Sequence, residues 1–266
     1  PSTSSAASDV YKRQVLNFGV DVSDFGGDTD SGTITINVLD DAPIAHDDCN
    51  EFDITATGKD FNIVMALDVS GSMRGEKLDL LKSSVENLLT DFNGYNGGEI
   101  KVHLVPFAAD AGAGQTFTVT DQAGFDAAVA YLNGLDAAGF TNYEAPLQSA
   151  ISWLEGDSDN DPIPGADTYT YFVSDGEPNR YLNNGGDVTG GNADTVMDEI
   201  TGGDGTNEVE TIQNLSDEVI GVGIGVNGTT LARLGVIDSD GTALDVQDPT
   251  DLDAALAGTN PLAGTA

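Results

Sequence analysis

Oxygen-bearing side chains occupy every second position after an apolar run in the stretch FNIVMALDVSGSMRGEK. The run ends at Asp68, and Ser70 and Ser72 follow with Gly71 between them. A plain connection between a strand and a helix would contain such residues, because aspartate, serine and glycine favour turns. A metal site would contain them too, since the alternation in Asp-x-Ser-x-Ser lets a tight turn point several oxygens inward. Taken alone, the motif leaves both interpretations open.

Two later segments carry further oxygens of the same kind. One holds Thr141 in GFTN, just before a predicted helix, and the other holds Asp175 in SDGEP, at the end of a predicted strand. In an open parallel sheet, ligands bind beyond the carboxyl ends of the strands, where the strand order reverses. Hard cations such as Mg²⁺, Mn²⁺ or Ca²⁺ prefer all-oxygen ligand sets. The predicted metal ligands are therefore Asp68, Ser70, Ser72, Thr141 and Asp175.

The elements that must position these residues follow from hydrophobic periodicity. The apolar run over 61–67 is typical of a central parallel strand that is covered on both faces. Further strands are predicted over 100–107, 169–174 and 219–224, with a weaker one at 243–246. Helical spacing predicts helices over 78–92, 125–132 and 147–154, and short helices at 231–234 and 252–256. This alternation predicts an α/β fold with a doubly wound, mostly parallel sheet that is flanked by helices.

Other parts of the chain are predicted to be small or irregular. Alternating apolar residues on either side of SDFGGDTDSG, within residues 15–42, predict a β hairpin that is too small to bury its own core. Residues 43–58 are acidic and form a predicted linker. The insertion at 183–208 and the loop GDSDNDPIPGAD could take Ca²⁺, but neither has EF-hand spacing, and solvated loops are the favoured interpretation.

The charge balance excludes several classes of partner. The chain has 45 Asp and Glu against 9 Lys and Arg, a net charge of −36, so binding to nucleic acid or insertion into an anionic membrane surface is disfavoured. A single cysteine, Cys49, excludes an intrachain disulfide, and two histidines are too few for a typical His-rich metal site. No apolar run is long enough to predict a transmembrane helix.

Catalysis has little support in the sequence, and the chain is not predicted to be an enzyme. A nucleophilic serine needs a base within hydrogen-bond reach, but His46 lies in the linker and His103 lies in the middle of a predicted strand, where it is expected to be a packed sheet residue. The stretch GVGIG lacks the final glycine of a dinucleotide fingerprint, so close packing of a strand against a helix is the preferred interpretation.

The segments DVSGSM, FTNYEAPLQSA and VSDGEPN, in this order and spacing, resemble the von Willebrand factor A domain and its metal-ion-dependent adhesion site. The resemblance covers about 61–256 and assigns the metal to the five residues predicted above. It implies that the hydroxyls bind Mg²⁺ (or Ca²⁺ or Mn²⁺) directly, that the carboxylates act partly through water, and that one position stays open for a carboxylate or other oxygen of a protein or glycan ligand. The implied function is metal-dependent adhesion; the alternative is a structural spacer whose metal only stabilises the fold.

Two further resemblances bear on domain organisation. SSAASDVYKRQ resembles the translation of a sequencing adaptor, so residues 1–14 are expected to be non-native and the chain to be a fragment. SDFGGDTDSGTITINVLDDAPIA resembles the end of an Ig-like or cadherin-like repeat of large bacterial adhesins, in which such acidic turns and linkers bind Ca²⁺; a solvated acidic turn is the alternative interpretation of the same residues. The implied organisation is a partial repeat (15–42), the linker (43–58), a von Willebrand factor A domain (59–258) and a tail (259–266). Neighbouring repeats, an RTX-type adhesin, type I secretion and an extracellular location at the cell surface are implied with it.

Overall fold

The structure is a computed structural model that describes residues 13–39, 58–156 and 161–264. The chain divides into two compact units, Pro1–Ile54 and Thr55–Ala266. Residues 1–12 of the adaptor-like segment and residues 43–57 of the predicted linker lie outside the described residues, and the domain boundaries remain predictions.

The first unit contains an antiparallel hairpin of β1 (Arg13–Ser23) and β2 (Thr29–Leu39). It confirms the predicted hairpin, in which Phe18 lies opposite Ile34. Both of these side chains are about half exposed, at 51% and 55%, because two strands cannot enclose a core between them.

The turn of this hairpin is held by Asp24, whose carboxylate accepts the backbone N–H groups of Gly26 and Asp28 at 2.9 and 3.0 Å. These bonds form an Asx-type turn, which accounts for one of the acidic residues in the loop. The predicted binding of Ca²⁺ at this turn and at the linker stays a prediction.

The second unit is built on a six-stranded sheet. Its strands are β3 (Phe61–Asp68), β4 (Ile100–Phe107), β5 (Gln115–Thr118), β6 (Asp167–Ser174), β9 (Glu218–Ile224) and β10 (Leu244–Val246). They lie in the order β10-β9-β6-β3-β4-β5, and all neighbouring pairs are parallel except β4 with β5, which is antiparallel. The predicted doubly wound, mostly parallel α/β sheet is therefore confirmed.

Burial on both faces explains why the central strand is apolar throughout. Alternate residues of β3 belong to different cores: Ile63 and Met65 pack on one face and Val64 and Ala66 on the other. The helices are α1 (Glu76–Asn93), α2 (Gln122–Asn133), α3 (Glu144–Leu154), α4 (Ala193–Asp198), α5 (Glu208–Leu215), α6 (Gly228–Ile237) and α7 (Leu252–Gly258). One face of the sheet is covered by α1, α2 and α7, and the other by α3 to α6. None of the described helices is long and apolar enough to cross a membrane.

The strand order places a reversal point beside β3. The chain runs from β3 outward to β4, then returns across to β6 on the other side of β3. The carboxyl ends of β3 and β6 therefore flank the crevice where ligands bind in open α/β sheets. Both ends carry predicted site residues.

Several short elements were not predicted. They include the edge strand β5 and a small antiparallel hairpin of β7 (Arg180–Leu182) and β8 (Val188–Gly190). The insertion at 183–208, predicted above to be a solvated loop, holds α4 and a π-helical turn over Glu199–Gly203. The expected close packing at GVGIG is observed, since a Cβ added to Gly221 would lie 2.9 Å from the carbonyl oxygen of Leu234.

Candidate metal centre

Asp68 ends β3 with its side chain fully buried at the floor of the crevice. One carboxylate oxygen accepts the backbone N–H of Ser70 at 2.7 Å, and the other accepts the hydroxyl of Ser174 at 2.6 Å. Burial raises the pKa of Asp68 to about 6, against the opposing effect of these hydrogen bonds, and the charge of Asp175 raises it further. The position therefore holds a carboxylate whose charge is poorly solvated.

The turn after β3 is fixed by backbone bonds to the neighbouring strand and loop. Val69 donates to the carbonyl of Phe107 at 2.8 Å, and Gly71 donates to the carbonyl of Gly139 at 3.1 Å. A Cβ added to Gly71 would lie 3.2 Å from that same carbonyl oxygen, so a side chain there would press on the turn. The turn continues into a 3₁₀ helix at Gly71–Met73, which directs both serines to the carboxyl edge of the sheet.

The two serines and Asp175 form a continuous chain of oxygens. The hydroxyls of Ser70 and Ser72 are 3.0 Å apart, and Ser72 donates to one carboxylate oxygen of Asp175 at 2.6 Å. The other oxygen of Asp175 lies 2.6 Å from the ammonium nitrogen of Lys77 on α1. Ser70 and Asp175 are buried, whereas Ser72 is exposed, so the cluster opens to solvent at Ser72.

Thr141 joins this cluster through the backbone of its loop. Thr141 lies two positions after Gly139, whose carbonyl accepts the hydrogen bond from Gly71. The carbonyl of Thr141 itself accepts the N–H groups of Asn179 and Arg180 at 2.8 and 3.1 Å. Its side chain is 4% exposed. Within the ranges that the structure describes, its hydroxyl is not among the hydrogen-bonded atoms that link the other four predicted ligands.

Residues beyond the predicted set hold the site in shape. The hydroxyl of Tyr143 donates to the carbonyl of Gly176 at 2.7 Å and lies 3.3 Å from the hydroxyl of Ser174, which in turn donates to Asp68. The side chain of Asn142 accepts the N–H groups of the first two residues of α3 at 3.0 and 3.2 Å, which fixes the start of that helix beside Thr141. The signal in the sequence for these residues is their adjacency to Thr141 and Asp175.

The residues present fit a hard divalent cation. The five predicted ligands offer hydroxyl and carboxylate oxygens, the donor types that Mg²⁺, Mn²⁺ and Ca²⁺ prefer. Of the two buried carboxylates, Asp175 contacts the ammonium group of Lys77, so this position accepts positive charge. In the described ranges no group of three or more His, Cys, Asp or Glu forms a metal cluster, so a cation here depends on the hydroxyls.

His103 is remote from this chemistry and is the packed sheet residue that the sequence predicts. Its ring is 2% exposed, stacks on Trp153 with centroids 4.7 Å apart, and has its Nδ1 atom 2.9 Å from the hydroxyl of Thr116. Across the part of the chain that the structure describes, no hydrogen bond links it to Ser70 or Ser72.

Comparison with known proteins indicates a family for part of the chain. Residues 63–177 match the family model of the von Willebrand factor type A domain. Over 119 residues the chain is 25% identical to the inter-alpha-trypsin inhibitor heavy chain H4 of Bos taurus. This match covers 44% of the chain and 13% of the heavy chain. The range matched by the family model, 63–177, contains all five predicted ligands. The match therefore indicates a von Willebrand factor type A domain over residues 63–177.

Solved structures show the same fold. The pilus adhesin SpaC from Lactobacillus rhamnosus GG superposes with a TM-score of 0.58 at 15% identity, over 76% of this chain and 30% of SpaC. The vWF domain of the type V pili tip protein Mfa5 from Porphyromonas gingivalis gives 0.59 at 13% identity, over 76% of this chain and 94% of that chain. The chain thus spans under a third of SpaC and of the heavy chain.

Proposed function

We propose that the domain is a metal-dependent adhesion module, which binds an acidic group of a protein or glycan through a divalent cation. The cation, Mg²⁺ or alternatively Ca²⁺ or Mn²⁺, is held by Asp68, Ser70, Ser72, Thr141 and Asp175. The observation that carries the proposal is the hydrogen-bonded cluster of four of these side chains at the reversal point of the sheet, with its open side at Ser72.

Each residue has a separate task in this proposal. Asp68 and Asp175 supply the negative charge that attracts the cation, and Ser174 and Lys77 orient these two carboxylates. Ser70, Ser72 and Thr141 supply neutral oxygens, so the protein neutralises the cation incompletely. The bound cation supplies an electrophilic position for an oxygen of the partner and reverses the local sign of a strongly acidic surface.

The distribution of cationic side chains supports an acidic partner. Of the 9 Lys and Arg residues in the chain, three lie around the cluster. Lys77 contacts Asp175. Arg74 donates to the carbonyl of Ala137 at 3.0 Å, on the loop that leads to Thr141. Arg180 follows that loop, and its guanidinium lies 3.5 Å from the ring centroid of Phe140. These charges favour the approach of an anionic group in a molecule that otherwise repels one.

The wider setting is part of the same proposal. Pilus adhesins and a pilus tip protein share the fold, and the N-terminal segment resembles an adhesin repeat. We therefore place the domain on the outside of a bacterial cell, within a large RTX-type adhesin that is exported by type I secretion. Neighbouring Ig-like repeats of the same chain would carry the domain away from the cell, and no catalytic activity is assigned to it.

A glycan and peptide array, probed in Mg²⁺, in Ca²⁺ and in EDTA, tests this function. We expect binding to acidic ligands that EDTA abolishes and that Asp68→Ala removes while the fold persists. Asp253→Ala is the matched control, because this exposed aspartate on α7 contacts Asn87, far along the chain from the cluster. Binding that survives both EDTA and Asp68→Ala would overturn the proposal.

The alternative function, a structural spacer, gives a different result in the same samples. A metal that only stabilises the fold would raise the melting temperature without any ligand on the array. The burial of Asp68 and Asp175 is the observation that favours this alternative, because a cation bound between them would lower the free-energy cost of burying their charges.

A further inference from the structure

A second group of buried carboxylates lies between α3 and α5, on elements other than those of the Asp68 cluster. Glu144 is 1% exposed and Glu208 is 4% exposed. The side-chain amide of Gln148 donates to one oxygen of each, at 3.0 Å from Glu144 and 3.2 Å from Glu208. Two glutamates that are buried beside one shared amide are unusual, because each charge needs compensation once it leaves water.

One oxygen of Glu208 has no partner. Its Oε1 atom accepts from Gln148 and from the hydroxyl of Thr206, at 2.9 Å from the latter. Its Oε2 atom is buried and makes no hydrogen bond within the described part of the chain. The large majority of buried polar atoms in native structures are paired, so the orphan carboxylate oxygen is a position for a partner that the described residues do not supply.

The charge around this oxygen is strongly negative. Burial raises the pKa of Glu144 to about 7, the backbone N–H of Leu182 lowers it, and the charges of Glu208, Asp204 and Glu199 raise it further. The ion pairs found among the described residues involve Asp167, Asp175, Glu177 and Asp194, and none of them includes either glutamate. None of these ion pairs compensates the two glutamates, and a bound cation would do so.

An open cleft leads from solvent to Glu208. It has a volume of about 350 Å³ and is lined by Gln148, Glu155, Thr206 and Glu208, among others. The carboxylates and the hydroxyl of Thr206 together form an all-oxygen donor set. The cleft is wide enough for a cation that keeps part of its water.

We propose that Glu144 and Glu208, with Thr206, form a Ca²⁺ site that fastens the loop before α5 to α3, and that Gln148 holds the two carboxylates together. Ca²⁺ is chosen over Mg²⁺ because it accepts six to eight oxygens in irregular geometry, whereas Mg²⁺ requires a near-ideal octahedron. The donors come from the starts of two helices and from a glycine-rich loop, and they do not impose a regular geometry. This site is separate from the Asp68 cluster, which holds the adhesive metal in the proposed function, and does not depend on that function.

Calorimetric titration of the whole chain with CaCl₂, in an Asp175→Asn background that removes the adhesive cluster, tests the site. We expect one Ca²⁺ to bind and the melting temperature to rise. Glu208→Gln, which removes the charge of the orphan oxygen, should weaken Ca²⁺ binding at least tenfold. In EDTA the same variant should melt no lower than its parent, because it no longer buries an unpaired charge.

Glu210→Gln is the matched control, since this exposed glutamate lies two residues further along α5. It should leave Ca²⁺ affinity unchanged. If Glu208→Gln fails to fold, Glu144→Gln provides the same comparison from the other helix. Equal Ca²⁺ affinity in parent and Glu208→Gln, or no binding at millimolar Ca²⁺, would overturn the proposal.

Discussion

Replacement of Lys77 by methionine separates the charge of the site from its shape. The ammonium nitrogen lies 2.6 Å from Asp175, whose side chain is fully buried, whereas 32% of the lysine side chain is exposed. Methionine keeps most of the length and the apolar stem of lysine and removes the charge. In metal-free protein, Asp175 would then keep one hydrogen bond, from Ser72.

The expected cost follows from this geometry. Removal of one partner of a buried ion pair costs about 3–5 kcal/mol, and the partial exposure of Lys77 reduces that figure to about 1–3 kcal/mol. A metal at the site would compensate the charge of Asp175 in place of the lysine. The variant should therefore lose less stability when Mg²⁺ is bound, and the difference must appear as tighter binding. A difference of about 2 kcal/mol corresponds to roughly a 30-fold gain in Mg²⁺ affinity.

Urea unfolding in EDTA and in saturating Mg²⁺, together with calorimetric titration, completes this cycle. Lys82→Met is the control: this lysine lies on the same helix but donates to the carbonyl oxygens of Asn133 and Leu135. It should change stability equally in both conditions. If Lys77→Met also costs the same with and without Mg²⁺ and leaves the affinity unchanged, Lys77 and the metal do not share Asp175 and the reasoning is refuted.

Two further predictions concern the core behind the site. Trp153→Ala should lower the free energy of unfolding by about 3–5 kcal/mol, because Trp153 is 2% exposed and its loss leaves a cavity beside His103; a loss below about 1 kcal/mol in urea unfolding would contradict the packing described. Burial lowers the pKa of His103 to about 4 from an ordinary value of 6.5. The unfolded chain thus takes up a proton at higher pH than the folded protein, and stability falls as the pH drops from about 6.5 to 4, by up to about 3 kcal/mol. In His103→Phe this contribution should vanish, whereas parallel pH profiles of unfolding free energy for wild type and variant would contradict it.

The central sheet could be predicted from the sequence because its strands are apolar on both faces. The run that becomes β3 is buried at every position, and such runs alternating with helical spacing leave few topologies other than a doubly wound sheet. The positions of Asp68 and Asp175 at strand ends followed directly, since the carboxyl ends of parallel strands share one edge. The hydrogen bond from Ser72 to Asp175 then follows from the strand order, because β3 and β6 are neighbours in the sheet.

The parts that were missed are short or depend on distant contacts. β5 has four residues that are at most half-buried, and β7 and β8 have three each, too few for a periodic signal. Lys77 and Asp175 are 98 positions apart, and Ser174 and Asp68 are 106 apart, so their pairing depends on the folded sheet. The orphan oxygen of Glu208 could not be predicted either, because the loop before α5 has no sequence pattern that places it beside Glu144.

The central claim, a divalent cation held at the Asp68 cluster, is tested most directly by paramagnetic broadening. Mn²⁺ added to ¹⁵N-labelled protein should broaden the amide signals of Gly71, Gly139 and Gly176, which lie around the oxygens of the cluster. In Asp175→Asn these three signals should stay sharp at the same Mn²⁺ concentration. Sharp signals in the wild type, or equal broadening in the variant, would contradict the account.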